Sequence, residues 1–394
     1  MFKGIIKSTK NMLELGALIG KLALRQPTST IPELDYSLGS DIIEKIHPES
    51  IRVKVSKIIE ETSSTKTFRL MPVNGYLPPF RAGQYISLKL EINGVQTARP
   101  YSISSPPTNT GYFDITVRFM PDGFVSRYLC ENVGVGDEFE ISGPAGSFHY
   151  EPLTDTKSLV FLAGGSGITP FISMIRELRE KNPGIDVHLL YGNRTPDDMI
   201  FEEELSETAC QEDWFKMHIV ISEPPEGYTG YCGFLDSNTI SETVGDLSGK
   251  TFYVCGPIAM HHLCGSELDK LGVPSRRVKI ELAGPPADIT QVAGYPPDIN
   301  PKEAFKVRVT FTGKENSPIS LQASPHEPLL NSLERNRLKI NNLCRSGECG
   351  FCRAKLVSGK VFVPPWVKMR ASDLMMSYIH PCISYPITDI ELLI

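Results

Sequence analysis

The sequence predicts a multidomain fold: an antiparallel β-barrel, then a doubly wound parallel-sheet α/β domain, then a small α+β domain built around cysteines. Three observations predict it. Short stretches of alternating apolar and polar residues recur from Ile51 to near Phe148, the period of half-buried strands. From Lys157 to Leu282, short apolar strands alternate with helical stretches, and a glycine-rich turn follows the first strand, the pattern of a parallel sheet with crossover helices. Residues 344–352 then carry three cysteines spaced C-x4-C-x2-C, and Cys382 follows after 29 further residues. A chain of 394 residues suffices for two or three separate cores. The expected divisions are an N-terminal extension (1–50), the barrel (51–152), the α/β domain (153–283), a Pro-rich linker (284–304) and the cysteine domain (305–394). A net charge of −6 with 41% apolar residues excludes a disordered chain and gives no sign of a nucleic-acid binder.

The extension is read first. Ile5, Ile6, Met12, Leu13, Leu15, Leu18, Ile19 and Leu22 recur at helical spacing among Lys3, Lys7, Lys10, Lys21 and Arg25. Such a basic amphipathic helix suits packing on its own protein, and membrane contact is the less favoured alternative. Residues 28–41, following Pro27 and including Pro32, read as a linker. No apolar run reaches the roughly 20 residues that span a bilayer, and the start lacks a signal peptide's apolar core and cleavage site. Nine cysteines, four of them in one motif, fit a reducing cytoplasm better than a disulfide framework. Cys130, Cys210, Cys232 and Cys264 stand alone and read as free thiols.

In the barrel, residues 52–58, 67–70 and 84–90 supply strands, with Pro and Gly between them. Arg99-Pro100-Tyr101-Ser102 offers what a flavin dinucleotide needs: a guanidinium for the pyrophosphate, an aromatic ring for the isoalloxazine and a small donor near its reactive nitrogen. Gly123-Phe124-Val125-Ser126 begins a helix whose free amides suit the same pyrophosphate. Taken singly, Tyr101 fits a barrel core equally well and Arg99 a surface cation.

In the α/β domain, residues 158–163 form a short buried strand, Gly164-Gly165-Ser166-Gly167-Ile168-Thr169-Pro170 a turn, and Phe171 to Lys181 a helix. Strands follow at 186–191, 217–221 and 251–255. Amides and the positive dipole end at the helix start attract a dinucleotide's phosphates, although the turn departs from G-x-G-x-x-G and reads equally as a tight turn. Pro285, Pro286, Gly294, Pro296, Pro297 and Pro301 then mark a semi-stiff linker.

The tail resumes strands at Val307, Val309 and Phe311 and a helix near Leu329 to Asn336. Cys344, Cys349, Cys352 and Cys382 match the spacing of a plant-type 2Fe-2S cluster. A four-cysteine zinc site, the rival, usually shows two C-x2-C knuckles. From Phe305 onward there are 12 Lys plus Arg against 7 Asp plus Glu, so the tail is basic and the remainder acidic. That asymmetry helps docking if the charges face each other, and is otherwise drift in composition.

Taken together, Arg99-Pro100-Tyr101-Ser102, the glycine turn ending in Pro170 and Cys255-Gly256-Pro257 follow the order and spacing of the ferredoxin-NADP reductase superfamily. With the cysteine tail, residues 50–394 resemble its fused members, the reductases that serve bacterial oxygenases and hybrid-cluster protein. The resemblance implies FAD on a six-stranded barrel, NADH or NADPH on the sheet domain and a 2Fe-2S cluster on a ferredoxin-like (β-grasp) tail. It implies FAD contacts at Arg99, Pro100, Tyr101, Ser102 and Arg118, and at Gly123, Val125 and Ser126. It places the nicotinamide nucleotide at Gly165, Gly167, Thr169 and Pro170, its adenosine end at Arg194 and its reactive ring at Cys255, Gly256 and Pro257. Ser102, Cys255 and Glu281 are the expected catalytic positions. Glu281 is followed by Leu282 where relatives often have an aromatic, and Ser222-Glu223 stands where members preferring NADPH often add a basic residue. A carboxylate there repels a 2′-phosphate, which favours NADH. His380 is a ligand only in a histidine variant, which four cysteines make unnecessary. The expected activity is electron transfer to a redox acceptor protein, an oxygenase or reductase component. A self-contained oxidoreductase with a small-molecule acceptor, or a cluster-based redox sensor, are the alternatives.

Overall fold

The computed structural model describes residues 48–181, 184–281, 284–300, 302–312 and 318–394. The amphipathic helix and linker expected before residue 48 lie outside the described residues. Among the described residues no helix is long and apolar enough to cross a membrane.

Six antiparallel strands make the first layer: β1 (Ile51–Thr62), β2 (Thr65–Pro72), β3 (Tyr85–Ile92), β4 (Val95–Ser102), β5 (Phe113–Arg118) and β6 (Glu138–Ile141). Their order is β4-β3-β6-β1-β2-β5, and a bridge between Ile103 and Ile115 draws the two edges together. The alternation read from the sequence is the inside–outside period of a strand. Ile51, Val53 and Val55 are buried while Arg52 and Lys54 are exposed. Phe68, Leu70, Ile86, Leu88, Ile115 and Val117 complete the interior, and each such side chain contributes about 2 kcal/mol when fully buried. Helix α1 (Phe124–Asn132) inserts Val125 and Leu129 into this core.

The second layer is a parallel sheet of β7 (Ser158–Gly164), β8 (Asp186–Asn193), β9 (Phe215–Ile221), β10 (Tyr231–Cys232), β11 (Thr251–Cys255) and β12 (Val278–Glu281). Its order, β10-β9-β8-β7-β11-β12, reverses direction between β7 and β11. That is the topological switch point, where a crevice opens beyond the carboxyl ends of the strands. On one face α2 (Thr169–Lys181) packs Phe171, Ile172 and Ile175, and α3 (Glu202–Gln211) packs Leu205. On the other, α4 (Ser237–Val244) packs Ile240 and Val244, and α5 (Ile258–Lys270) packs Cys264 and Leu268.

The third domain holds β13 (Phe305–Thr310), β14 (Ile319–Ala323), β15 (Ala354–Ser358), β17 (Tyr378–Ile379) and β19 (Ile390–Leu393), with a β16 (Val361–Phe362) and β18 (Tyr385–Pro386) pair. Its five-stranded sheet runs β14-β13-β19-β15-β17. Helix α6 (Leu329–Arg335) packs Leu329, Leu330 and Leu333 on a core that includes Cys352 and Cys382. The short α7 (Ala371–Met375) precedes β17.

The Pro-rich stretch differs from a bare spacer. Ile289, Val292 and Tyr295 are buried with Tyr385, against Ile299, Phe362 and Trp366, and the Tyr295 hydroxyl donates to the Pro325 carbonyl at 3.0 Å. Apolar residues interleaved with the prolines give the segment a core of its own, so it straps the third domain rather than merely spanning to it.

Side chains join the layers. Ser173 and Arg176 of α2 donate to the carbonyls of Ser105 and Ser104, just beyond β4, at 2.7 and 2.8 Å. Lys279 and the Tyr253 hydroxyl converge on Asp155 at 2.6 and 2.5 Å, and Lys279 also donates to the His149 carbonyl at 3.3 Å. His262 of α5 meets Trp366 of the third domain edge to face, centroids 4.8 Å apart.

Candidate functional site

The cysteine loop is assembled from two distant segments. Cys344, Cys352 and Cys382 are buried and Cys349 is half-buried, all four as free thiols. Backbone amides of Ser346 and Cys349 point at the Cys344 sulfur, each at 3.4 Å, and the Phe351 amide at the Cys349 sulfur at 3.5 Å. The neighbouring Cys349 and Cys382 thiols hold the Cys344 thiol well below the ordinary range, and Cys382 lowers the Cys352 thiol in the same way. Among the described residues no three His, Cys, Asp or Glu side chains converge on one ion position. Four sulfurs, two of them with amides aimed at them, fit a two-iron rhomb better than a single zinc ion.

Two residues fix this loop. Gly347 has φ +86°, and a Cβ added there would lie 2.7 Å from Val367 Cγ1 and 2.8 Å from Ile383 Cγ2. His380 is fully buried; its Nδ1 lies 2.6 Å from the Gly347 carbonyl oxygen and its Nε2 3.0 Å from Asp373 Oδ2. Both nitrogens are committed, so His380 braces the loop and is no ligand. The hydrogen bond from His380 lowers the Asp373 carboxyl. The sequence drew attention to His380 only as an unusual neighbour of Cys382, and nothing in it pointed to Asp373.

On the barrel, Arg99, Pro100, Tyr101 and Ser102 close β4, with Ser102 in register with Tyr85. Arg99 Nη1 donates to Thr97 Oγ1 at 2.6 Å and to the Ala98 carbonyl at 2.9 Å. Among the described residues it pairs with no carboxylate. Burial, and secondly the neighbouring Arg345, depress its pKa to about 10. A half-buried guanidinium that pairs with no carboxylate among the described residues is what a pyrophosphate would neutralise. Tyr101 packs against the barrel core, and burial pushes its phenol upward. The start of α1 is bare: Gly123 is extended and no side chain caps the helix. The amides around Val125 and Ser126 are therefore open to an anion.

Arg118 sits elsewhere than a purely flavin-facing role requires. Its Nη2 pairs with Asp198 at 2.6 Å, and its guanidinium lies against Gly165, the first residue of the glycine turn. Arg194 Nε reaches the other oxygen of Asp198 at 3.4 Å. Asp198 thus gathers a barrel arginine and a sheet-domain arginine at the mouth of the crevice, a grouping that sequence spacing did not reveal.

Inside the crevice the glycine turn presses on the end of β11. A Cβ on Gly167 would lie 2.7 Å from the Gly256 nitrogen and closer still to the Cys255 carbonyl. Thr169 Oγ1 donates to the Ser166 carbonyl at 2.7 Å, fixing the entry into α2, where Pro170 follows. Pro257 precedes α5 in an extended conformation and Gly256 separates it from Cys255. Cys255 stands in register with Ala163 on one side and Glu281 on the other. Burial, then the Glu281 charge, pushes its thiol up, so it stays neutral. Glu281 has its carboxyl raised to about 8, by burial first and then by the charges of Glu348 and Cys344.

Tyr85 marks where the three parts meet. It pairs with Ser102 across β3 and β4. After burial, its phenol is pushed up by Cys344, Cys349, Glu281 and Glu348. Ser102 is thus in register with Tyr85, whose phenol feels the charges of Glu281 and the cysteine loop, and Glu281 is in turn in register with Cys255.

Comparisons with known proteins identify the three parts of the chain. Residues 52–150 match the family model of an oxidoreductase FAD-binding domain, 161–265 that of an oxidoreductase NAD-binding domain and 313–386 that of a 2Fe-2S iron-sulfur cluster binding domain. The chain is 31% identical over 348 residues to the glycine betaine monooxygenase reductase subunit of Pseudomonas aeruginosa, covering 86% of this chain and 93% of that one. It is 30% identical over 341 residues to NADH oxidoreductase HCR of Escherichia coli, covering 86% and 97%. The solved structure of phthalate dioxygenase reductase shares the fold, with a TM-score of 0.63 at 24% identity over 87% of this chain and 97% of that one. All three parts occur in the same order in one chain, and the chain belongs to the family of fused oxidoreductases with FAD-binding, NAD-binding and 2Fe-2S domains.

Proposed function

We propose that this protein is the reductase component of a two-protein system, taking electrons in pairs from NADH and delivering them singly to an oxygenase component. Three matched domains in one chain, with Ser102 in register with Tyr85 on the barrel and Cys255 in register with Glu281 on the sheet, carry this reading. A flavin supplies the conversion between two-electron and one-electron chemistry, and a 2Fe-2S cluster supplies a one-electron site. The side chains do the placing. Arg99 and the bare amides of α1 hold the pyrophosphate of FAD, with Tyr101 and Ser102 against its ring. The turn at Gly165 and Gly167, with Thr169 and Pro170, holds the nicotinamide nucleotide so that its ring lies near Cys255. A neutral Cys255 and a protonated Glu281 keep negative charge away from a site where the acceptor of the hydride would take on negative charge. Cys344, Cys349, Cys352 and Cys382 hold the cluster. The names of the related reductase subunits support an oxygenase as the partner.

Anaerobic titration of cofactor-loaded protein with NADH tests this reading. Uptake of about three electrons per chain, two by the flavin and one by the cluster, is expected. Saturation at two, with the cluster still oxidised, contradicts it.

Nucleotide choice is assigned to Glu223, which is exposed just beyond β9 and whose amide bonds to the Arg194 carbonyl at 2.8 Å. Glu223→Arg exchanges repulsion of a 2′-phosphate for attraction. The ratio of kcat/KM for NADPH over NADH should rise by about tenfold or more.

Glu281 sets a pH dependence. With its carboxyl raised to about 8 it is protonated at neutral pH and ionises above that value. Because the folded value exceeds the unfolded one, ionisation in the folded state is resisted, and stability drains away as pH rises from about 4.5 through 8. The rate of flavin reduction by NADH should fall along a limb near pH 8. Glu281→Gln, neutral at every pH, should flatten that limb while keeping the rate at pH 7 within about threefold. A limb unchanged in the variant assigns the titration to another group.

A further inference from the structure

We propose that Thr97 is a positioning residue for electron transfer: its hydroxyl latches the cysteine domain to the barrel and sets the separation between the flavin site and the cluster loop. This rests on the electron-transfer reading given above. One oxygen carries three bonds. Thr97 Oγ1 donates to Glu334 Oε2 at 3.0 Å and accepts from Arg345 Nη2 at 3.0 Å and Arg99 Nη1 at 2.6 Å. A hydroxyl has one proton to give and two lone pairs to offer, so it is fully used. Glu334 lies on α6, and Arg345 directly follows the cluster ligand Cys344. Arg99 is the barrel residue placed to hold the flavin's pyrophosphate. The hydroxyl therefore joins the anion site on one domain to the ligand loop on the other through a single atom.

The surroundings show that this connection is built rather than incidental. Thr97, Glu334 and Arg345 are each about 5% exposed. Arg345 and Glu334 are ion-paired, Arg345 Nη1 donates to Asn331 Oδ1 at 3.1 Å, and Asn342 Nδ2 reaches Glu334 Oε1 at 3.4 Å. Arg345 holds a left-handed backbone, φ +52°, and its Nε is buried without a partner. Both are unfavourable in a non-glycine residue and persist only where the surroundings overdetermine them. The Arg345–Glu334 pair lies wholly within the cysteine domain and stabilises that domain by itself. Among the described residues only Thr97 carries the network across to the barrel, so that hydroxyl can be removed while the pair stays in place.

Thr97→Val keeps the side-chain shape and removes the hydroxyl. In cofactor-loaded protein, flavin reduction by NADH should stay within about threefold of wild type. Cluster reduction should slow by about tenfold or more, because the flavin site and the cluster loop are then no longer held at one separation and orientation. The electron paramagnetic resonance spectrum of the dithionite-reduced cluster should be unchanged, marking an intact cluster, and Thr97→Ser should restore the second phase. Without any reductant, amide hydrogen exchange across residues 329–336 and 95–102 should quicken by about tenfold in Thr97→Val and return to normal in Thr97→Ser. Wild-type exchange in Thr97→Val overturns the latch, as does a wild-type second phase. Loss of flavin and cluster together also overturns it, since that result marks a residue needed only for folding. If NADH fails to reduce the cluster in the wild type, the electron-transfer reading fails while the exchange experiment still decides whether Thr97 is a latch.

Discussion

A Gly347→Val variant is expected to fold its barrel and sheet domain, bind flavin, and retain about a tenth or less of the iron. Two costs fall on one residue. A left-handed φ of +86° is strained by about 1–2 kcal/mol in a residue with a Cβ, and more in a β-branched one. The added atoms also enter space held by Val367 and Ile383, already under 3 Å from an added Cβ, where overpacking costs a further 1–3 kcal/mol or so. Ile383 adjoins Cys382, and the Gly347 carbonyl is the acceptor for buried His380, so displacement passes directly to the ligand set. Iron and flavin content per chain, measured on the same preparation, checks this. Near-stoichiometric iron in Gly347→Val would show that the loop adapts and that His380 does not hold it through Gly347.

The second large effect concerns Gly167. Its neighbours are backbone atoms at the end of β11, the Cys255 carbonyl and the Gly256 nitrogen, and backbone inside a parallel sheet cannot swing aside as a flexible side chain can. Gly167→Ala must therefore part the glycine turn from Cys255, opening the crevice at the switch point where the nicotinamide nucleotide is held. NADH-driven flavin reduction should fall by about a hundredfold, in line with a displacement of roughly 1 Å at a reacting centre. Chemical reduction of the cluster by dithionite should be unaffected, because the cysteine loop lies in another domain. If Gly167→Ala reduces its flavin at the wild-type rate, the turn is only a turn and the nucleotide lies elsewhere.

The features legible in the sequence are those written in local spacing. C-x4-C-x2-C places three sulfurs on one loop, alternation along residues 51–58 marks the inward face of β1, and the glycines between β7 and α2 mark a turn at the switch point. The unread features are contacts between residues far apart in the chain. Thr97 and Glu334 are separated by 237 positions, and neither residue type announces a partner. Arg118 and Asp198 meet only because the barrel abuts the sheet domain. His380 was visible as an odd residue beside a cysteine, yet its role depends on Asp373 and the Gly347 carbonyl, which the fold brings together. The Pro-rich stretch misled for a different reason. Prolines break local periodicity, while Ile289, Val292 and Tyr295 between them form a buried strap.

The central claim is that one junction, around Tyr85, connects nicotinamide oxidation to a one-electron site at the cysteine loop. Anaerobic stopped-flow absorbance of cofactor-loaded protein mixed with NADH tests it most directly, followed at flavin and iron-sulfur wavelengths. The account predicts rapid flavin bleaching followed by a separate cluster phase that is complete within one turnover. Flavin bleaching with a cluster that stays oxidised, although dithionite reduces it, would contradict the account.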